Sequence, residues 1–314
     1  MTLQQLRYFC EVVRRDMNIS KAAQALEVSQ PGLSRQLQLL EHELAVELFV
    51  RNRKRLVRLS PAGEEIHQNA ERTLASARNI TQAALDHSGE KLGSLTIATT
   101  HTQARYALPD VIRRFKLRYP QVQLSLRQGT PADVSQLVSS GTADIGIATE
   151  PVEPPAEVLL LPCYDLHRIV LTPARHPLLK VRRLTLEKLA QYPLITYDYA
   201  FIGHSKTLEA FAASGITPNI VLNAIDADVI KTYVEFGLGI AILPDMAYDR
   251  RRDKSLRAID ARHLFTPNTI HLGIRRNYYL RGYMYAFIEM FAPHLKQTVV
   301  QKALSASATR RTIG

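Results

Sequence analysis

The chain has few cysteines and no long hydrophobic run, and both shortages narrow the classes of protein it belongs to. Two cysteines, Cys10 and Cys163, occur in separate segments among 314 residues. They supply neither a disulfide framework nor a zinc cluster, so we expect two small buried residues and no metal site. No segment approaches the roughly 18 consecutive apolar residues of a membrane span. The start, MTLQQLRYF, also lacks the features of a secretory signal. These absences predict a soluble, cytoplasmic protein without membrane contact.

Acidic residues are outnumbered, with 29 Asp+Glu against 40 Lys+Arg and a net charge of +11. This excess favours an anionic partner. The densest run is RNRKRLVR at 51–58, with five basic residues and no acid. A second cluster from Arg250 to Arg257 is diluted by Asp249 and Asp253, and we interpret it as a solvated face. The hydrophobic share of 46% is ordinary for a globular chain of one large or two smaller domains.

The first 45 residues carry the pattern of three short helices. Apolar residues at steps of three and four predict an amphipathic helix over 2–15, and they are Leu3, Leu6, Cys10, Val13 and Met17. Ser20 is the predicted N-cap of a second helix, KAAQALE. Ser29 is the predicted N-cap of a third helix, in which Pro31 occupies the first turn. A tight turn separates the last two helices, so the segment predicts a helix-turn-helix.

In a helix-turn-helix the second helix of the pair enters the major groove of double-stranded DNA. The side chains expected at its DNA-facing end are Ser29, Gln30, Pro31, Ser34 and Arg35. Gln pairs bidentately with adenine and Arg with guanine. The next segment predicts two short strands, 48–50 and 56–59, joined by a basic turn. This wing is expected to contact phosphate or the minor groove through Arg51, Arg53, Lys54 and Arg55.

A long helix is predicted over residues 61–88. Six of its positions recur at steps of 4-3-4-3-4, and they are Ile66, Ala70, Thr73, Ala77, Ile80 and Ala84. This heptad seam favours a homodimer formed through a partner helix, and a dimer suits DNA with two half-sites. The alternative is a helix that packs only on its own domain.

Beyond residue 89 strands alternate with helices, which predicts parallel sheets in two Rossmann-like α/β subdomains with a cleft between them, as in periplasmic binding proteins. The predicted domains are a mainly α winged helix-turn-helix (1–60), a linker helix (61–88), an effector-binding domain (89–304) and a disordered tail (305–314). Within the effector-binding domain we expect subdomain I over about 92–163 and 265–294. Subdomain II is expected over about 164–264.

The cleft is the predicted ligand site, because helix N-termini collect at the carboxyl ends of parallel strands. TTHTQARYALP follows the first strand of this domain and opens a helix. Its hydroxyls, amide and N–H groups suit an anion, and it contains no acid. The expected donors are Thr100, His101, Thr102, Gln103 and Thr149. Glu150 and Asp228 are candidates to face an ammonium group of the ligand. No motif of a hydrolase, kinase or dehydrogenase is present, so no catalytic residue is predicted.

The N-terminal motifs resemble those of a known family. LRYF, AAQALEVSQPGLSRQLQLLEHELAVELFVR and LSPAG look like the winged helix-turn-helix of LysR-type transcriptional regulators. The resemblance implies a DNA-binding dimer joined by a linker helix to an effector domain. It further implies a tetramer of two dimers that bends promoter DNA and, when activating, meets RNA polymerase.

The remaining motifs are more specific. IATTHTQARYALP, ADIGIATE, LPCY, DADVIKTYVEFGLG and LRGYMYAFIEMFAPHL resemble the CysB branch of this family, the regulators of sulfur assimilation and cysteine synthesis. The resemblance implies a cleft that holds sulfate or a related anion at Thr100, Thr102, Gln103 and Thr149. A further hydroxyl residue of the branch is replaced here by Ile202, which leaves the Gly203 N–H and Ser205 as substitute donors.

Three functions remain open from the sequence. The first is a regulator of sulfur assimilation whose effector is sulfate, thiosulfate, O-acetylserine or N-acetylserine, with no other cofactor. The second is a sibling regulator of sulfonate use or another pathway, which the departure at Ile202 favours. The third and most remote is an enzyme fused to a DNA-binding domain.

Overall fold

The structure is a computed structural model, and it describes residues 1–52, 55–87, 93–149, 151, 154–197, 206–276 and 278–309. The chain divides into two compact units, one from Met1 to Glu90 with Asn277–Tyr279, the other from Lys91 to Arg276 with Leu280–Gly314. Among the described residues, no helix is both long enough and apolar enough to cross a membrane.

The first unit begins with the three predicted helices, which are α1 (Leu3–Arg14), α2 (Ile19–Ala25) and α3 (Gln30–Leu44). Thr2 caps α1 in a capping box with Gln5, and Ser29 caps α3 by accepting the Gly32 N–H at 3.2 Å. The predicted cap of α2 is wrong. Asn18 accepts the Lys21 N–H at 3.0 Å, so Ser20 lies inside the first turn.

The wing is also present, as β1 (Phe49–Asn52) paired antiparallel with β2 (Arg55–Leu59). It leads through Ser60 into α4 (Pro61–His87). Gly63 is required here, because a Cβ at this position would lie 2.0 Å from the carbonyl oxygen of Leu48. The first turn of α4 therefore packs directly on the backbone that leads into the wing, and the glycine of the LSPAG motif permits this contact. Arg53 and Lys54, at the predicted tip, lie outside the described residues.

The apolar faces of α1, α3 and β1 meet in one core. Phe9 and Phe49 are fully buried and pack edge to face, with ring centroids 5.4 Å apart. Leu33, Leu37 and Leu40 join them from α3. Each such side chain contributes about 1.5–3 kcal/mol on burial. This core holds α3 with its opposite side in solvent.

The seam of α4 divides into two parts. Ala70 is 3% exposed and lies in the core of its own unit, where Ile66 packs beside it. Ile80 is 73% exposed, and Thr73 and Ala84 are exposed as well. The prediction of a continuous partner-facing seam is therefore wrong at Ile66 and Ala70, where the helix packs on its own domain. The C-terminal part remains a candidate dimer surface.

The second unit contains two mixed five-stranded sheets rather than the predicted parallel ones. The first has the order β4-β3-β5-β12-β6. Its strands are β3 (Gly93–Thr99), β4 (Val122–Gln128), β5 (Ile145–Thr149), β6 (Val158–Leu166) and β12 (Asn268–Arg275). β3 pairs parallel with β4 and β5, whereas β12 pairs antiparallel with β5 and β6. Its helices are α5 (Leu108–Arg118), α6 (Pro131–Ser139), α10 (Gly282–Phe291) and α11 (Gln297–Thr309).

The second sheet has the order β11-β7-β10-β8-β9. Its strands are β7 (Arg168–Pro173), β8 (Leu194–Tyr197), β9 (Ile220–Ala224), β10 (Ile240–Pro244) and β11 (Leu256–Asp260). β8 pairs parallel with β9 and β10, and β7 pairs antiparallel with β10 and β11. Short α7 (Leu186–Leu189), α8 (Lys206–Ala213) and α9 (Ala227–Glu235) accompany it.

The predictions missed two strands, β6 and β11, and two predicted boundaries differ. β6 was not predicted, because Pro162 reads as a strand breaker; the pairing tolerates it next to a bulge opposite Ile270/His271. Since β6 continues to Leu166 in the first sheet, subdomain I ends later than 163. The predicted disordered tail is wrong for its first half, because α11 continues through Thr309. Residues 310–314 lie outside the described residues.

Candidate functional site

The exposed face of α3 carries the residues predicted to read DNA. Gln30, Pro31 and Arg35 are exposed, and Ser34 is half-buried. The Ser20 hydroxyl donates to the Gln30 side-chain oxygen at 3.0 Å and orients that amide. The Ser29 oxygen accepts the Gly32 N–H as the helix cap, which leaves its O–H able to donate to DNA.

The described basic residues of the wing differ in whether they are free to contact DNA. Arg51 Nη2 lies 2.7 Å from Glu41 Oε2, and the other carboxylate oxygen of Glu41 accepts the Leu48 N–H at 2.9 Å. This pair ties the wing to α3 and partly neutralises Arg51. Arg55 is exposed and has no such partner among the described residues.

The second unit contains a cavity of about 120 Å³ between its two sheets. One water molecule needs roughly 10–15 Å³ in the same measure, so the cavity has room for a small-molecule ligand. All five described residues of the predicted anion site line it, namely Thr100, His101, Thr102, Gln103 and Thr149. Ile202, Gly203 and Ser205, predicted for the facing subdomain, lie outside the described residues, as does Glu150.

The wall from subdomain I is built from two helix N-termini. The chain turns helical at His101 directly after β3, and the first helical bond shown runs from the Ala104 N–H to the Thr100 carbonyl at 3.0 Å. The N–H groups before Ala104 have no helical acceptor and carry the positive end of the helix dipole. Thr130, which caps α6, lines the same cavity.

Hydrogen bonds hold this wall in place. Gln103 is only 1% exposed, and both ends of its amide have partners. The Tyr164 hydroxyl donates to Gln103 Oε1, and Gln103 Nε2 lies 3.7 Å from the Met246 sulfur. Thr102 Oγ1 lies 3.2 Å from the Tyr197 hydroxyl. Burial raises the pKa of Tyr164 and of Tyr197, so both phenols stay protonated and remain able to donate.

The wall from subdomain II is cationic, which the sequence did not predict. Arg168 opens β7 and Lys206 opens α8, and both line the cavity. Arg168 Nη2 lies 3.1 Å from Asn268 Oδ1, and Lys206 Nζ donates to the Pro267 carbonyl at 2.6 Å. The expected site of neutral donors is therefore corrected: two fixed positive charges face it, and no described lining residue is acidic.

Asp228, a candidate to face a ligand ammonium, does not line the cavity. Its carboxylate accepts from Tyr106, Lys231 and Arg105 instead. No signal in the sequence distinguished Arg168 or Lys206, because each reads as an ordinary polar residue at the start of a strand or helix.

Family models of known proteins match both parts of the chain. Residues 3–64 match the family of bacterial regulatory helix-turn-helix proteins of the lysR type, and residues 88–296 match the LysR substrate binding domain. The chain belongs to the LysR family of transcriptional regulators. It is thus a DNA-binding regulator with an effector-binding domain, not an enzyme.

Its relatives place it in the CysB-like branch of sulfur regulators. It is 47% identical to the transcriptional regulator SsuR of Burkholderia cenocepacia, over 96% of this chain and 97% of that protein. It is 46% identical to CysB of the same organism, over 98% of each. The cofactor-binding domain of the Cbl regulator has a TM-score of 0.64 at 42% identity, covering 68% of this chain and 93% of that domain.

Proposed function

We propose that this regulator controls genes of sulfur assimilation and cysteine synthesis in response to a small anionic sulfur metabolite. The observation that carries the proposal is the cavity wall that combines the Thr100 and Thr102 hydroxyls with a helix N-terminus and with Arg168. A fully ionised anion is stabilised by all of these groups at once. No described acidic side chain in the lining opposes it.

Sulfate, thiosulfate, O-acetylserine and N-acetylserine are the proposed effectors. Sulfate carries no proton at neutral pH, so a wall of donors serves all of its oxygens. Phosphate retains a proton that requires an acceptor, and the donor-rich wall disfavours it. The carboxylate of an acetylated serine would occupy the same donors and leave its acetyl group in the rest of the cavity.

One observation favours the alternative of an organic sulfonate. The cavity has aliphatic lining residues as well as polar ones, and they are Leu166, Ile225, Ile242 and Ile270. A sulfonate offers three oxygens to the donor wall and a hydrocarbon group to this apolar part. The relation to SsuR, whose identity to this chain equals that of CysB within one percentage point, is compatible with either ligand.

The DNA-binding part of the proposal uses α3 and the wing. We propose that Gln30 and Arg35 contact base edges of promoter DNA and that the wing contacts its backbone. Dimerisation through the exposed part of α4 around Ile80, and a tetramer of two dimers, would present recognition helices to successive half-sites. Activation would then proceed through RNA polymerase.

Effector and DNA are linked through the angle of the cleft. An effector that contacts both walls favours the closed cleft, and only such unequal binding to the two states drives a change. We propose that closure alters the spacing at which the assembled protein presents its recognition helices, and hence the DNA bend.

Thermal unfolding of the purified chain with each anion tests the effector. A ligand that binds the folded state raises the unfolding midpoint. At a ligand concentration of 100 times Kd, the free energy of unfolding rises by about 2.7 kcal/mol. The panel is sulfate, thiosulfate, O-acetylserine, N-acetylserine and ethanesulfonate, with chloride at equal ionic strength as the control. A shift restricted to ethanesulfonate would move the chain to sulfonate regulation, and no shift with any of them would reject a sulfur effector.

A matched pair of threonine variants locates the binding. Thr102 lines the cavity, whereas Thr142 is exposed and bonds to the Ser140 hydroxyl at 3.0 Å. Thr102→Ala should reduce the shift and Thr142→Ala should retain it. Equal shifts in both variants would place the anion elsewhere.

A further inference from the structure

Two segments of the effector domain meet beside the cavity through side chains that do not line it. Arg105 and Tyr106 lie in a π-helical turn, Gln103–Ala107, that follows the donor Thr102. Asp228 and Lys231 lie on α9 in the other subdomain. The two segments are the HTQARYALP and DADVIKTYV motifs of the sequence, and anion binding alone accounts for only the first part of one of them.

The Asp228 carboxylate joins the two subdomains. One of its oxygens accepts the Tyr106 hydroxyl at 2.5 Å and lies 2.9 Å from Lys231 Nζ. The other accepts Arg105 Nε at 2.9 Å. Three donors from two subdomains thus converge on a single carboxylate, and hydrogen bonds to a charged acceptor are the strong ones.

Charge balance favours the joined state. Within subdomain II, Lys231 pairs with both Asp228 and Asp253, the latter at 3.0 Å, so this cluster carries one unbalanced negative charge. Arg105 brings the compensating positive charge from subdomain I. Burial opposes ionisation of Asp228, but the hydrogen bonds from Tyr106 and Lys231 outweigh it and the pKa of Asp228 is lowered. The carboxylate is therefore charged at neutral pH.

The same turn faces the ligand. Thr102 and Gln103 line the cavity, and Thr102 bridges to Tyr197 of subdomain II. Arg105 and Tyr106 follow within three residues. π-Helical turns of this kind occur frequently at functional sites. One short segment therefore carries both the anion donors and the bonds that join the subdomains.

We propose that Arg105, Tyr106, Asp228 and Lys231 form a latch that holds the effector cleft closed and positions Thr102 and Gln103 for the anion without touching it. The inference rests on the proposed function in taking the cleft ligand to be an anion. Because the latch favours the closed state before any ligand binds, effector affinity depends on these positioning residues. The latch would set the concentration at which the regulator responds.

Calorimetric titration of the full-length chain with sulfate and with N-acetylserine tests the latch. Asp228→Asn should raise Kd about 10-fold, as expected for loss of charge-assisted bonds. Tyr106→Phe, which removes one oxygen atom, should raise it about 5-fold. Asp110→Asn is the matched control, because the Asp110 carboxylate pairs with Arg113 at 2.7 Å and with Arg114 at 3.0 Å, both inside subdomain I. Its Kd should equal that of the wild type.

A double-mutant cycle and a ligand-free measurement complete the test. Arg105→Gln combined with Asp228→Asn should weaken binding by less than the product of the two single effects. In ligand-free protein, hydrogen exchange of residues 103–107 should accelerate in Asp228→Asn and Tyr106→Phe, while exchange in α6 stays unchanged. If the wild type binds neither anion, the proposed effector fails, and the exchange measurement still decides the latch.

Unchanged exchange in residues 103–107 together with unchanged Kd would overturn the latch. A loss of affinity matched by Asp110→Asn would overturn it as well, because the effect would then reflect general destabilisation. Should Asp228→Asn fail to fold, Tyr106→Phe carries both measurements.

Discussion

The two functional surfaces of this chain are assembled in different ways. The proposed DNA-reading face uses residues within one helical stretch, from Gln30 to Arg35, and a local cap at Ser29 sets the start of that helix. The effector cavity gathers groups separated by more than 100 positions, from Thr100 to Lys206. The first surface follows from short-range periodicity and capping. The second exists only once two sheets stand on either side of a cleft.

The difference extends to charge. Arg51 and Arg55 of the wing belong to one basic run of the sequence and are exposed, so each acts through a solvent-screened field. Arg168 and Lys206 are isolated in sequence yet face the same half-buried space, where screening is weaker. Each cation of the cleft should therefore contribute more to effector affinity than each cation of the wing contributes to DNA affinity.

Arg168→Gln tests that expectation with the largest predicted effect. Removing a partly buried cation that faces the anion should cost about 2 kcal/mol or more, or about 30-fold in effector Kd. DNA affinity without effector should not change. Arg175→Gln is the control, because Arg175 is exposed on the same subdomain. Equal titrations of both variants would show that the cleft works with neutral donors alone.

Arg35→Ala probes the opposite surface. Loss of a base contact should cost about 1–3 kcal/mol of promoter affinity and relax specificity at one position, with effector Kd unchanged. Fluorescence anisotropy on promoter DNA measures this, and Gln38→Ala, also exposed on α3, is the control. Footprints that survive the Arg35 change would reject α3 as the reading helix.

Thr102→Ala should have a smaller effect than Arg168→Gln. Loss of one hydroxyl donor should cost about 1 kcal/mol, or about 5-fold in effector Kd, without weakening basal DNA binding. Effector titration and DNA anisotropy on the same preparation measure both quantities. Joint loss of the two activities would contradict the separation of the surfaces.

The smallest predicted effect concerns protons in the DNA-binding unit. Burial lowers the pKa of His67 from 6.5, and its ring packs edge to face on Phe9 at 5.8 Å. Below pH 6.5 the folded state thus binds fewer protons than the unfolded state. The contribution of neutral His67 to the free energy of unfolding is therefore complete above pH 6.5 and is lost as the pH falls through the folded pKa. The free energy of unfolding should fall less between pH 7.5 and 5 in His67→Gln than in the wild type. Parallel pH profiles would assign the sensitivity to other groups.

Sequence reasoning reached the helices, the wing and the subdomain I wall because each rests on local rules. Ser29 and Gly63 mark helix starts, and Thr100–Gln103 follow a buried strand. It misplaced the cap of α2, since Asn18 and Ser20 are equally good caps two residues apart. It missed β6, because a proline beside a bulge has the same sequence signature as a loop.

The sequence by itself determined the helix-turn-helix, the wing and the face of α3 turned to solvent, because periodicity and capping act over a few residues. Its motifs also carried the resemblance that indicated the family. Only the tertiary structure decided that Ala70 packs inward while Ile80 stays exposed. It also decided that Arg168 lines the cavity, and that Asp228 accepts from Tyr106 and Arg105 and does not line it. Such pairings depend on which distant segments the two sheets bring together. Capping and periodicity involve only neighbouring residues, so they do not predict contacts across the cleft.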